Sequence, residues 1–410
     1  MIRAAVPRNE RLLWLLGPAL VAGIAYLDPG NVASNMTAGA AFGFLLVWVV
    51  VLGNLMAWLV QFLSAKLGLV TGKSLPELLG ERIRGKWGRR AYWLQAELVA
   101  MATDVAEIIG GAIALSLLFN LPLLLGGMIT GVVSMLVLAL SAQGRQKIFE
   151  RVIISMLLII AIGFTVGVVI SPPAASDVLG GLVPRFEGSR SVLLAVSILG
   201  ATIMPHAIYA HSALTRDRFL ERTASQSTRR LIWATKWDVT IALAIAGTVN
   251  LAILLVAATS LQGVEGTDTL EGAHGAIMAS LGGVVATMFA LGLLASGLAS
   301  SSVGAYAGAE IMHGLLRVRI PLFWRRSITL IPALLILAAG FEPTYALVLS
   351  QVVLSFGIPF ALIPLVWLTA RTSVMGEFRN NWLTTAAGIL TAISLVALNA
   401  ALLYLIFSGA

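Results

Sequence analysis

Leu27-Asp28-Pro29-Gly30-Asn31 interrupts an apolar stretch that otherwise runs from Leu12 to Trp48. Proline removes a backbone donor and glycine loosens the chain, so the carbonyls just before the break lose their helical partners. In a bilayer such a break is tolerated only where it faces protein or water. Asp28 adds a charge and Asn31 an amide at that depth. A second break, Met204-Pro205-His206, interrupts another apolar stretch.

The chain around these breaks has 410 residues, 59% of them hydrophobic and only 11% charged, which excludes a soluble globular protein. This is the composition of an integral membrane protein. It contains no cysteine, so thiolate metal sites are excluded and any soft ligand must be methionine. Arg3, Arg8 and Arg11 precede the first apolar segment in the manner of a secretory leader. No small-residue cleavage site follows, and ten more apolar segments do, so the first segment is expected to be a retained helix.

Splitting the apolar stretches at roughly 17 to 25 residues per span gives eleven candidates. They are 12–40, 43–67, 91–119, 121–141, 148–170, 191–214, 232–258, 276–312, 320–340, 343–370 and 383–407. With the N-terminus inside, 25 of the 27 Lys and Arg fall on the cytoplasmic side, and Arg185 and Arg190 are the exceptions. The positive-inside rule then places the N-terminus in and the C-terminus out. The net charge of +8 is thereby read as orientation in the membrane, with no nucleic-acid partner.

The two breaks lie five helices apart, in the first and sixth segments. Five is odd, so units 1–5 and 6–10 have opposite orientation, as in LeuT-type transporters, where the first helix of each repeat is discontinuous and the substrate sits at the break. The expected fold is therefore an all-α polytopic membrane protein forming one transporter domain over 1–410. Its first repeat is 12–170, its second 191–370, and 383–407 is an additional helix.

Asp28, Asn31 and the freed carbonyls around Ala25 offer oxygens for a cation. Met204 adds a polarizable sulfur, shifting preference from Mg2+ or Ca2+ toward Mn2+, Fe2+, Co2+ or Cd2+. Each feature alone has an ordinary reading, since methionine fills cores and a lone proline kinks helices. Glu97, Asp104 and Glu107 share one helical face by spacing, and intramembrane acids are usually functional. Arg325 and Arg326 in the ninth segment are of the sign to pair with Asp104 and Glu107 and offset their burial. Asp28 is itself a plausible proton acceptor, as a buried carboxylate. His206 either relays protons or packs beside the site, and His211 either lines a vestibule or makes a satisfied polar contact. Ser74-Leu75-Pro76-Glu77 is expected to cap a short interfacial helix in contact with lipid, and Glu265, Asp268, Glu271 and His274 to sit in a solvated external loop.

With both breaks in view, the chain resembles the natural resistance-associated macrophage protein (Nramp) family, in particular its bacterial manganese-transporting members. The resemblance also rests on Ala102-Thr103-Asp104-Val105-Ala106-Glu107, His211-Ser212-Ala213-Leu214 and Ser350-Gln351. It implies that Asp28, Asn31 and Met204 are side-chain metal ligands. It further implies that Ala25 and Ala201 lend carbonyls in alternating states and that Gln351 joins when the site closes. It implies a proton pathway along Glu97, Asp104, Glu107, Arg325 and Arg326, with Asp28, His206 and His211 beside it. Magnesium-transporting relatives lack the methionine of the second break, so its presence implies a transition-metal substrate.

The function expected is secondary active, proton-coupled import of divalent transition metal, Mn2+ foremost, across a bacterial inner (cytoplasmic) membrane. The partners are the metal ion, the proton and the bilayer, with no obligate protein partner and no resident cofactor. No Gly-x-x-x-x-Gly-Lys-Ser/Thr loop occurs, so no ATP is implied. The alternative on the same fold is a sodium-coupled organic-solute symporter. An intramembrane enzyme is disfavoured, because neither a His-Glu-x-x-His run nor paired membrane aspartates occur.

Overall fold

The computed structural model describes residues 17–142, 146–219, 227–318 and 320–408. Among them every regular element is helical. The first broken segment comprises α1 (Pro18–Gly23), a 3-10 turn (Ile24–Leu27) and α2 (Pro29–Phe42). Then follow α3 (Val47–Thr71), α4 (Leu75–Arg82), α5 (Lys86–Phe119), α6 (Leu123–Ala142), α7 (Gln146–Ile170) and α8 (Ala175–Gly180). The second broken segment is α9 (Gly188–Thr202) and α10 (Pro205–Phe219). The chain continues through α11 (Thr228–Ser260), α12 (Leu270–Leu281), α13 (Gly283–Leu316), α14 (Leu322–Ala338), α15 (Pro343–Ala370), α16 (Thr372–Met375) and α17 (Trp382–Ser408).

Among the described residues, α3, α5, α9–α10, α11, α13, α15 and α17 are long and apolar enough to cross a membrane. Shorter apolar helices cover Pro18–Leu27, Leu123–Val137 and Ile154–Ile170. Among the described residues, ten of the eleven expected segments match a helix or broken helix to within a few residues, with 12–16 of the first lying outside them; the eighth does not match. The stretch expected as 276–312 breaks at Gly282, whose φ of +91° suits a residue without Cβ. Of the expected external loop, Glu265 and Asp268 are exposed ahead of α12, whereas Glu271 and His274 belong to that helix. Leu270, Ala273, His274 and Ile277 of α12 are buried, and the His274 ring lies 6.4 Å from that of Phe289.

Apolar side chains such as Leu55, Leu136, Leu158, Ile393 and Phe407 point outward, as expected of surfaces in contact with hydrocarbon chains. The α9–α10 pair is almost wholly buried, while α17 keeps most of its surface exposed. The broken helices thus run through the centre of the bundle, and the extra helix lies at its periphery.

The Ser74 capping box forms, with the Ser74 amide donating to Glu77 Oε2 at 2.7 Å and the Glu77 amide donating to Ser74 Oγ at 3.4 Å. The expectation of lipid contact for this helix needs correcting. Leu75, Pro76, Leu78, Leu79 and Gly80 are buried, and α4 packs on α10 and α13. Arg216 of α10 reaches Glu77 at 2.7 Å and Glu310 of α13 at 3.2 Å. Burial alone would raise the Glu77 carboxyl, but the Ser74 amide and the Arg216 guanidinium outweigh it and hold the group below its ordinary value.

Candidate functional site

The two breaks form because each places a proline at the first position of a new helix, where its missing N–H costs nothing. The loss falls on the preceding turn. Pro29 withholds the amide that Ala25 O would accept four residues on, and Pro205 does the same to Ala201 O. Asp28 then caps α2, its Oδ1 accepting from the Asn31 amide at 2.8 Å.

Asn31 Nδ2 donates to Tyr26 O and to Ala201 O, each at 2.8 Å. Carbonyl oxygens only accept, so both amide hydrogens are committed there and Oδ1 faces the other way. The Asn31 side chain therefore joins the first break to the second, while its Oδ1 accepts a long bond of 3.4 Å from Asn35 Nδ2. Gln351 Nε2 donates to Asp28 Oδ2 at 3.3 Å and to Ser350 Oγ at 3.1 Å. Its Oε1 is buried with no hydrogen-bond partner in the protein. Buried acceptors left in this way are costly unless something occupies them. Asp28, Asn31, Met204, Gln351, Ala25 and Ala201 are all fully buried.

Close approach of α15 to both breaks requires two glycines. A Cβ on Gly30 would collide with the Gln351 side chain, and one on Gly200 with the Gln351 carbonyl. The site is thus a meeting of three helices, α2, α9 and α15. It offers one carboxylate, two amide oxygens, proline-released carbonyls and the thioether of Met204. Among the described residues no three His, Asp or Glu side chains gather as a metal-holding group, so this mixed set is the arrangement available to a cation.

The acids of α5 take the positions their spacing suggests. Arg325 donates to Glu97 at 2.8 Å, Arg326 pairs with Asp104, and Glu107 lies 3.6 Å from Arg326. Arg326 also bonds Ser301 and, at 3.4 Å, Ser134. Both arginines are buried in the first turn and a half of α14, within the ninth segment as expected. Glu107 Oε1 and Oε2 accept no hydrogen bond. His206 Nδ1 stands 3.1 Å from Thr103 Oγ1, and its Nε2 is free of protein partners. His211 does not line an open vestibule: it is buried, with Nδ1 2.8 Å from Gln61 Oε1.

Three supporting residues have no role assigned to them by the sequence. Asn250 Nδ2 donates to Tyr26 O at 2.9 Å, and Ser296 Oγ donates to Leu27 O. Asp238 accepts from the amides of Gly17 at 3.1 Å and Ala19 at 2.9 Å, anchoring the start of α1. Asn250 and Asp238 were visible as polar residues in an apolar helix, the signal that marks such roles. Ser296 was hidden among the small residues of α13.

The chain matches the family described as natural resistance-associated macrophage protein-like over residues 19–405. It belongs to the Nramp family. A divalent metal cation transporter MntH of Mycobacterium tuberculosis is 59% identical over 396 residues, which cover 97% of this chain and 92% of that protein. A manganese transporter of Eremococcus coleocola, solved as a point mutant, superposes with a TM-score of 0.85 at 31% identity. That likeness covers 97% of this chain and 87% of the other. The nucleobase-cation symporter Mhp1 shares the fold with a TM-score of 0.60 at 15% identity, over 96% and 93% of the two chains. The expectation of a LeuT-type helical transporter, and of membership in Nramp rather than an enzyme family, is therefore met.

Proposed function

We propose that this Nramp protein imports divalent transition metal ions, Mn2+ foremost with Fe2+, Co2+ and Cd2+ also accepted, together with protons. One observation carries the reading: side chains and carbonyls of two helix breaks and α15 meet, fully buried, around a single carboxylate, with Gln351 Oε1 left without a protein partner and a thioether in the second break. Asp28 supplies charge, Asn31 Oδ1 and Gln351 Oε1 supply neutral oxygens, and Ala25 or Ala201 lends a carbonyl according to the state. Met204 favours softer ions over Mg2+ and Ca2+. The relatives named as metal cation and manganese transporters support the same reading.

Proton movement is assigned to Asp28 and to the polar route formed by Glu97, Asp104, Glu107, Arg325 and Arg326, with His206 and His211 flanking it. The buried ion pairs between α5 and α14 give that route continuity. Alternating access has α1 and α10 rearranging against the remaining helices, within repeats 12–170 and 191–370, in a multi-pass protein of a bacterial inner membrane. The N-terminus lies in the cytoplasm and the C-terminus outside, by the distribution of basic residues.

A sodium-coupled symporter of organic acids fits less well. The N-terminus of α2, where a substrate carboxylate would dock, is already filled by the Asp28 side chain. Uptake into proteoliposomes decides between them. Mn2+ or Cd2+ entry with internal acidification, abolished in Asp28→Ala, is the expected result. Uptake of an organic solute without metal would overturn it.

A further inference from the structure

Two prolines inside α15, Pro359 and Pro364, withhold the amides that Ser355 O and Phe360 O would accept. Both released carbonyls are taken by side chains of other helices. Asn399 Nδ2 of α17 donates to Ser355 O at 3.1 Å, while Ser355 Oγ donates to Asn399 Oδ1 at 2.9 Å. The Tyr92 hydroxyl of α5 donates to Phe360 O. The same hydroxyl lies 3.2 Å from the hydroxyl of Tyr209, which is buried on α10.

The directions of these bonds follow from proton count. Tyr92 has one hydroxyl proton, and a carbonyl can only accept, so that proton goes to Phe360 O. Tyr209 must then donate to Tyr92. The order runs from Tyr209 of α10 through Tyr92 of α5 to Phe360 of α15. It links the inner half of the second broken helix to the helix that carries Gln351, nine residues earlier.

We propose that Tyr92 and Tyr209 are positioning residues for the transport cycle, coupling the placement of α10 to the proline bend of α15 and so to Gln351. The inference rests on the transport reading above. The hydrogen bonds of the two hydroxyls go to each other and to Phe360 O and involve none of the proposed metal ligands, so loss of the link should slow the conformational step and leave metal affinity nearly unchanged. A purely local role, in which Tyr92 only satisfies a stranded carbonyl, makes a different prediction. Tyr209→Phe removes the α10 bond and leaves the Tyr92–Phe360 bond intact.

The test is Mn2+ uptake by Tyr92→Phe, Tyr209→Phe and the double variant in proteoliposomes, normalised to folded protein by size exclusion. Each single variant should lower the maximal rate by about three- to tenfold with KM within about twofold of the parent. The double variant should be no slower than the slower single, because both remove one link. Parental rate in Tyr209→Phe, or multiplied losses in the double variant, would overturn the proposal. If Tyr92→Phe does not fold, Tyr209→Phe decides alone. Absence of Mn2+ uptake in the parent protein would instead count against the transport reading itself.

Discussion

Asn31 and Ala201, 170 residues apart, are joined by a hydrogen bond of 2.8 Å from the Asn31 side-chain amide to the Ala201 carbonyl. That bond holds two helix breaks in register through a donor, so the charge-adding substitution should harm the site. Asn31→Asp replaces the two donated bonds with an acceptor facing two acceptors, each loss costing about 1–3 kcal/mol in a buried setting. Mn2+ affinity by calorimetry should fall by about tenfold or more, although a second carboxylate has been added. Tighter binding would show that Asn31 is a ligand only and not a brace.

Met204 is wholly buried beside the second break. In Met204→Ala, Mn2+ uptake should persist while Ca2+ and Mg2+ become effective competitors, with inhibition constants lowered by about tenfold. A competition profile matching the parent would reduce Met204 to packing.

Arg326 faces Asp104 and Glu107 at the meeting of α5, α6, α13 and α14. Removing one member of such a buried pair costs about 3–5 kcal/mol, so Arg326→Ala should lower the melting temperature. Asp104→Asn is the milder probe: proton entry per metal should fall, with metal binding largely kept. Equal loss of both would mark the network as structural.

Glu77 gives a pH dependence with a defined sign. Its folded value lies below the unfolded one, so its contribution is complete above the unfolded value and fades as pH falls through the folded value. Hydrogen exchange at α4 should therefore quicken on acidification. In Glu77→Gln the exchange should already be faster at neutral pH and change little on acidification.

Much of the architecture could be read directly because bilayer thickness sets helix length and a break at depth demands a reason. Asp28, Asn31 and Met204 stood out against an apolar background, and the α5 acids declared their common face by spacing alone. What escaped notice depended on contacts between distant segments. Nothing in the sequence marks Ser296 as the donor to Leu27, or Tyr92 as the cap of a carbonyl stranded by Pro364. The kink at Gly282 was missed because apolar residues flank it on both sides, so hydropathy ran through unchanged. Arg325 and Arg326 were legible as charges inside the ninth apolar segment, and their pairing with the α5 acids was among the readings their burial suggested.

Tyr26 O receives two side-chain amides, from Asn31 and from Asn250. Both of its lone pairs are thereby spoken for, and an ion arriving at the first break finds that oxygen closed to it. On the metal-transport reading proposed above, the neighbouring Ala25 carbonyl, released by Pro29, is the one left for cargo, while Tyr26 serves as a fixed fastening. On that reading an ion comes and goes without unpicking the turn, because the backbone oxygen that holds the break together is a different atom from the one proposed to let go of the metal.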